Sequence, residues 1–428
     1  MSAPDFARLP GFRDFVPEDL AIRSHIFEMW RRVARAYGFR EYDGPPLEHL
    51  DLYVEKSGEE IVSQLYNFTD KGDREVSLRP EMTPSLARIL GERSRSMPKP
   101  IRWFSVPQLF RYERQQRGRL REHFQWNVDI VGEADEAADA EVLGVALDAL
   151  RAFGLSADDV RARVSDRRLL AALLGELGVE EGRLPGAYAV IDKLEREPRE
   201  RSRDRLVEEV GLEGAVADRV LGLFADPSLD RIRSEFGEID SVAPHLERMT
   251  RYLTTLAGMD LGDYVEFDLT IVRGLAYYTG IVFEIFDRAG ELRAICGGGR
   301  YDRLLELVGG EPLPAVGFGM GDVVLGELLA DRQLLPDTTH ASDFCIVTIG
   351  DQARETALGL ASRLRRGGWS VTYALRDSSV RKQFKAAENE GAARVIVLGP
   401  DELARGVGVV RDMGSGEENE VPLDDIGR

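Results

Sequence analysis

Two cysteines in a chain of 428 residues leave no basis for a disulfide framework. Cys296 and Cys345 stand far apart in apolar, strand-like surroundings, which points to two buried thiols in a reducing compartment. Histidine is also sparse: five scattered residues make no ligand cluster, and no resident metal is expected. No apolar run reaches the ~18 residues that a membrane-spanning helix needs. The opening residues, Met1-Ser2-Ala3-Pro4-Asp5, lack the basic start and apolar stretch of a secretory signal, so a cytoplasmic location is expected. Positive charge is in deficit too, with 56 Lys and Arg against 75 Asp and Glu and a net charge of −19. Phosphate neutralisation by Lys and Arg carries most non-specific nucleic-acid affinity, so DNA is not an expected partner. Any RNA must meet local basic patches, with acid placed elsewhere, as at Glu133, Asp135, Glu136 and Glu417-Glu418-Asn419-Glu420.

A hydrophobic fraction of 43% beside 31% charged residues fits a folded globular protein rather than a disordered one. The length allows two or three domains, each with its own core. Against the acidic background one stretch reverses sign. Leu109-Phe110-Arg111-Tyr112-Glu113-Arg114 reads as a strand, Gln116-Arg117-Gly118-Arg119-Leu120-Arg121 as a basic turn, and Glu122 to Val131 as a second strand. Guanidinium groups grip phosphate as a bidentate fork, so such a hairpin suits a nucleotide, a nucleic-acid end, or both. An ordinary solvated hairpin carrying surface charge would have the same composition.

Further motifs surround it. Leu78-Arg79-Pro80-Glu81-Met82-Thr83-Pro84 lies upstream. Val272-Arg273-Gly274-Leu275-Ala276-Tyr277-Tyr278-Thr279-Gly280 and Gly297-Gly298-Gly299-Arg300-Tyr301-Asp302 lie far downstream. In this order, starting from Gly11-Phe12-Arg13-Asp14-Phe15, the set resembles the class II aminoacyl-tRNA synthetases and, among them, the histidyl-tRNA synthetase family. The resemblance covers nearly the whole chain. It implies an α+β catalytic domain, an antiparallel sheet flanked by helices, over residues 1–335. A helical insertion at about 166–247 and a C-terminal α/β anticodon-binding domain over 342–428 complete the expected fold.

Local patterns agree with that outline. Pro17 to Tyr37 has helical spacing, with Ile22, Ile26, Met29, Trp30 and Val33 on one face. The Pro45-Pro46 region after it resembles the first class II motif, which implies a homodimer; a plain helix-strand connection fits equally. Ala137 to Phe153 forms another apolar-faced helix. Leu- and Ala-rich helical segments alternate with charged links between Asp166 and Glu247, either an RNA-touching insertion or a spacer. Alternation marks strands at Val265–Leu269 and Ile281–Phe286. Gly317-Phe318-Gly319-Met320-Gly321 is expected to follow a strand and open a helix through Leu329. Pro336-Asp337-Thr338-Thr339 is the best linker. Beyond it, strands at Phe344–Ile349, Ser370–Ala374 and Arg394–Leu398 alternate with helices at Ala353–Arg366 and Val380–Asn389, a β-α-β-α-β order that gives a small, mostly parallel sheet.

The resemblance also assigns roles. Its substrates are L-histidine, ATP with Mg2+ and tRNA(His), with no tightly bound cofactor. Arg111 and Arg273 are the catalytic pair beside the α-phosphate. Arg111, Glu113, Arg119 and Arg273 bind ATP. Glu81, Met82, Thr83, Arg111, Gln125, Asp129, Arg273, Tyr277 and Tyr278 hold histidine. Gln125 and Asp129 lie four apart on one strand, so both side chains face the same way. The run Gly297-Gly298-Gly299 lets backbone approach a substrate closely, or makes a tight turn. Arg376, Arg381, Lys382 and Lys385 are candidates for RNA contact, or a solvated helix face.

Three positions depart from the family pattern: Gln115 replaces a usual Pro, Ala276 a usual Asp, and Val324 the third-motif arginine that holds the ATP γ-phosphate. A related paralogue, the regulatory subunit of ATP phosphoribosyltransferase, binds histidine without charging tRNA and ordinarily lacks the C-terminal domain. Arg111, Glu113, Arg119 and Arg273, together with the pattern after the linker, favour the ligase.

Overall fold

The computed structural model describes residues 6–57, 59–114, 116–272, 278–290, 292–307, 310–338 and 342–428. Gln115, Arg273, Ala276 and Tyr277 lie outside the described residues. The chain divides into two compact units, Met1–Asp14 with Arg23–Leu335, and Phe15–Ile22 with Pro336–Arg428.

The described residues of the first unit form a nine-stranded sheet. Along the sheet the order is Arg40–Glu41, Ile101–Ser105, Glu122–Val131, Ala315–Gly321, Cys296–Arg300, Ile281–Asp287, Val160–Asp166 and Val265–Phe267, with Gln108–Phe110 paired to the start of Glu122–Val131. The interior pairings are antiparallel, and the outermost strand at each end joins in parallel. The ten-residue strand Glu122–Val131 sorts its side chains by parity. Phe124 and Trp126 face the helix Pro17–Ala36, where Phe27 meets Phe124 edge-on and Trp30 stacks on Trp126. Burial of such large rings is a main source of core stability. The odd residues His123, Gln125, Asn127 and Asp129 face a cleft on the other side. A period-two strand thus separates core from site.

The expected hairpin is present, with Leu109 opposite His123 and Phe110 opposite Glu122. One glycine run differs from expectation, and the other settles between its two readings. Gly317 to Gly321 are not a segment after a strand but part of the strand Ala315–Gly321, and Gly297 to Gly299 lie within Cys296–Arg300 rather than in a turn. A Cβ on Gly298 would lie 2.6 Å from the Gly317 carbonyl oxygen and from Phe318 Cβ, so these strands pack too closely for a side chain there.

After Val160–Asp166 the described chain has no strand until Val265, and helices run from Arg167–Glu176 to Ala243–Gly258. Val160–Asp166 itself does not stand out in the sequence, because its arginines suggest a polar surface. Here Arg161 and Arg163 find Glu266 and Asp268 on the adjacent strand segment. Among the described residues no helix is long and apolar enough to cross a membrane.

In the second unit the strands Val371–Tyr373, Phe344–Thr348 and Arg394–Leu398 are parallel, as expected. Two further strands, Val407–Asp412 and Glu418–Pro422, extend the sheet antiparallel to give five. The last is an edge strand bearing Glu418 and Glu420, charges that discourage edge-to-edge pairing. Buried Gln383 clamps Thr348 through both backbone groups, at 2.9 and 3.0 Å, and donates to the Ser378 carbonyl at 2.9 Å. Cys296 and Cys345 are buried and unbridged.

Candidate active site

A cleft of about 840 Å3 opens on the sheet face carrying His123, Gln125, Asn127 and Asp129. Its floor is the strand Ala315–Gly321, where Gly317 pairs with Asp129 and Gly321 with Gln125. A Cβ on Gly317 would overlap Asp129 Oδ1, and one on Gly319 would lie 2.7 Å from the Gln125 amide. Alternate glycines therefore leave room for the two polar side chains lying over them. Along this floor the cleft runs from Asp129, past Gln125, to Gly321, Val323 and Val324.

Glu81, Thr83, Arg111, Glu113, Arg119, Gln125, Asp129 and Tyr278, all singled out in the sequence, line this one cleft. Buried Arg79 sets the wall that presents Glu81 and Thr83, donating to Asp43 at 2.8 Å and to the carbonyls of Gly44 and Gln108 at 2.7 and 3.0 Å. Met82 departs from the expected contact with histidine. Its side chain is fully buried behind the wall, with its sulfur turned to Arg79, so it supports the site and does not line it. Arg273 and Tyr277 lie outside the described residues.

Arg111 is fixed by donating from Nε to the Pro80 carbonyl at 3.0 Å. Arg119 pairs with Glu113 across the hairpin loop. Arg117 reaches Glu327 and Asp331 at 3.3 and 3.5 Å, holding the loop against the helix Asp322–Asp331. At the strand's start, Arg13 donates to Glu122 at 2.7 Å and pairs with Asp322 at 2.9 Å. Asp322 also accepts from the Phe124 amide at 2.9 Å, so one guanidinium ties the N-terminal segment to both walls of the site.

Burial, then the guanidinium groups of Arg111, Arg13 and Arg119, pull His123 down to about 3, so its imidazole is neutral at physiological pH. At the inner end burial pushes Asp129 up to about 7, against the opposing hydrogen bond from Tyr301. Burial also raises the Tyr278 phenol, with Glu81 and Asp129 adding to the effect.

Sequence reasoning missed His123, Asn127, Glu284, Arg293 and the role of Tyr301 in the lining. Glu284 lies opposite Gly297 in register, so an apparently solvent-facing glutamate on a half-buried strand points into the cleft. Tyr301 donates its hydroxyl to Asp129. Its neighbour Arg300 is structural: it makes a buried ion pair with Asp139 and donates to the carbonyls of Glu133 and Asp135 at 2.9 and 3.2 Å.

An antiparallel sheet with helices behind it, a basic hairpin and a glycine-floored strand along one cleft define the catalytic domain of a class II aminoacyl-tRNA synthetase. The chain belongs to the histidyl-tRNA synthetase family: the model of that family, "Histidyl-tRNA synthetase", matches residues 11–321, and "Anticodon binding domain" matches 343–428. A histidine--tRNA ligase from Opitutus terrae is 44% identical over 98% of this chain and 97% of its own length. The crystal structure of histidyl-tRNA synthetase from Nostoc sp. superposes with a TM-score of 0.83 at 24% identity, covering 99% of this chain and 98% of that one. A Bacillus halodurans structure described as an ATP phosphoribosyltransferase regulatory subunit/histidyl-tRNA synthetase gives 0.77 at 23% identity, covering 93% of this chain and 99% of that one. At these identities the two structures establish the shared fold alone.

Proposed function

We propose that the protein attaches L-histidine to the 3′ end of tRNA(His) through a histidyl-adenylate. The observation that carries this reading is the convergence of Glu81, Thr83, Arg111, Glu113, Arg119, Gln125, Asp129 and Tyr278 on one cleft. A histidine carboxylate oxygen attacks the α-phosphorus of ATP, the bond to the β-phosphate oxygen breaks, and pyrophosphate leaves. A ribose hydroxyl of the tRNA then attacks the adenylate carbonyl, and AMP departs. ATP enters with Mg2+ as part of the substrate.

The residues divide the work by position. Asp129, Gln125, Glu81, Thr83 and Tyr278, at the inner end, take the amino acid. Arg111, midway along, bridges its carboxylate and the α-phosphate, where negative charge accumulates during transfer. Glu113 accepts from the adenine amino group, and Arg119 turns from Glu113 to phosphate. Arg273 acts beside the α-phosphate, and Tyr277 completes the histidine pocket. A site that hydrogen-bonds an imidazole rejects apolar side chains by about 10⁴ or more, because its own polar groups would be left unpaired. A homodimer built through the Pro45-Pro46 region, in the cytoplasm, and anticodon recognition by residues 342–428 complete the reading.

Histidine-dependent exchange of pyrophosphate into ATP tests it. Purified protein should show exchange with histidine and with no other natural amino acid. Arg111→Ala and Arg273→Ala should each lower kcat by about 10²-fold or more, with a smaller effect on histidine binding. Histidine binding without any exchange would replace the ligase reading by the regulatory one.

A further inference from the structure

The arginines of the cleft differ in what holds them. Arg119 is paired with the Glu113 carboxylate. Arg293 donates to the amide oxygen of Gln116 at 2.6 Å, and among the described residues no carboxylate lies within ion-pair distance of it. A neutral amide orients a guanidinium without cancelling its charge, leaving it available to an anion. Its position is equally specific. A Cβ on Gly118 of the hairpin loop would lie 3.2 Å from Val324 Cγ2 and 4.0 Å from Arg293 Cδ. The stem of Arg293 therefore crosses the loop glycine beside the side chain that occupies the missing arginine's place. Arg293 and Val324 line the same cleft, at the end away from Asp129.

We propose that Arg293 binds the outer phosphates of ATP, supplying from the segment before Cys296–Arg300 the positive charge that Val324 does not. The inference rests on the cleft being the nucleotide site and names the cation at its far end. It accounts for how the chain keeps a phosphate site after losing an arginine: the cation approaches from the opposite wall and is steered by the loop through Gln116.

The test uses the full chain with Mg2+ and compares the affinities of a non-hydrolysable ATP analogue and of AMP by calorimetry. A charge-assisted contact to phosphate predicts that Arg293→Ala weakens the analogue about tenfold and leaves AMP unchanged. Arg293→Lys should recover part of the loss, and Val324→Arg in the Arg293→Ala background should restore binding from the adjacent position. No loss, or equal losses for the analogue and AMP, would overturn the assignment. These constants do not depend on histidine. A wild-type protein that binds the analogue yet forms no adenylate fails the ligase reading alone, while Arg293 is judged on the ratio; one that binds neither nucleotide overturns both.

Discussion

The phenol of Tyr301 donates to the carboxylate of Asp129 at the buried inner end of the cleft. The pair spans 172 residues of sequence and joins the strand Glu122–Val131 to the residue that follows Cys296–Arg300. One hydrogen bond is not enough to keep a buried carboxylate at its ordinary value, and Asp129 rises to about 7. An ammonium group arriving with histidine would supply the missing counter-charge.

That argument predicts a pH dependence with a definite sign. The folded-state pKa of Asp129 lies above its unfolded value, so the folded protein binds the extra proton and its stabilising share is lost as pH rises through about 7. Asp129→Asn cannot ionise, so its stability relative to wild type should rise steadily from about pH 4, the ordinary carboxylate value, to about pH 7 and level off above it, read from melting temperatures. Histidine affinity should rise with pH through about 7 in wild type, with proton release, and more shallowly in the variant. Because histidine titrates in the same range, the informative quantity is the difference between the two profiles. Identical profiles would remove Asp129 from the amino-acid site.

The floor glycines should respond unequally. The three heavy atoms nearest to a Cβ on Gly319 all belong to the Gln125 side chain, whose amide can swing aside. Gly319→Ala is therefore expected to raise KM for histidine while leaving stability nearly intact. A Cβ on Gly317 would overlap Asp129 and also lie 2.7 Å from the Val128 carbonyl oxygen, which belongs to the adjacent strand and cannot move independently. Gly317→Ala should lose both histidine affinity and stability, by about 1–3 kcal/mol for an overpacked interior. Equal behaviour of the two variants in denaturant and in KM would contradict this account.

Much of this site was legible through the family resemblance, which picks out Gln125 and Asp129, while the two-residue period of Glu122–Val131 puts them on one face. The period alone does not separate a site face from a solvated one, so His123 and Asn127 on that same face were not read from it. Glu284 and Arg293 were not legible either, since nothing local distinguishes a polar residue facing a cleft from one facing water. The strand Val160–Asp166 was hidden for a related reason: its arginines are matched by Glu266 and Asp268, more than 100 residues away in sequence. The glycine strands Cys296–Arg300 and Ala315–Gly321 resemble turns or linkers because glycine is a poor strand former. Pairing with their neighbours makes them strands, and close approach reserves Gly298, Gly299, Gly317 and Gly319 for glycine. The C-terminal α/β pattern was plain through Leu398, whereas the last two strands, short of apolar alternation, were not.

Arg13 offers a stability test. Removing it leaves Glu122, 1% exposed, and Asp322, 5% exposed, without their shared cation. Arg13→Ala should cost about 3 kcal/mol at neutral pH, the usual effect of orphaning a buried ion-pair partner. Burial already raises Asp322, and losing Arg13 removes the main opposing influence. The stranded carboxylates should then take up protons more readily in the folded state, so the deficit shrinks as pH falls toward 5. Denaturant titrations at both pH values decide it; a pH-independent deficit would mean that lost packing, not charge, is responsible.

The second unit carries the last prediction. Arg376, Arg381, Lys382 and Lys385 are all exposed, and none makes an ion pair among the described residues, in a protein with a net charge of −19. Arg381 and Lys385 are four apart on the helix Val380–Asn389 and so share a face, next to the loop that Gln383 clamps at Ser378. A basic face left unneutralised on a rigid support suits the phosphates of a folded RNA loop. Arg381→Glu with Lys385→Glu should lower kcat/KM for tRNA about tenfold or more and flatten its salt dependence, since each phosphate contact adds roughly one unit to that slope. Histidine-dependent pyrophosphate exchange, which needs only the cleft of the first unit, should be unchanged, as should the melting temperature. Charging that keeps its rate and salt slope in the double variant would place the RNA on another surface.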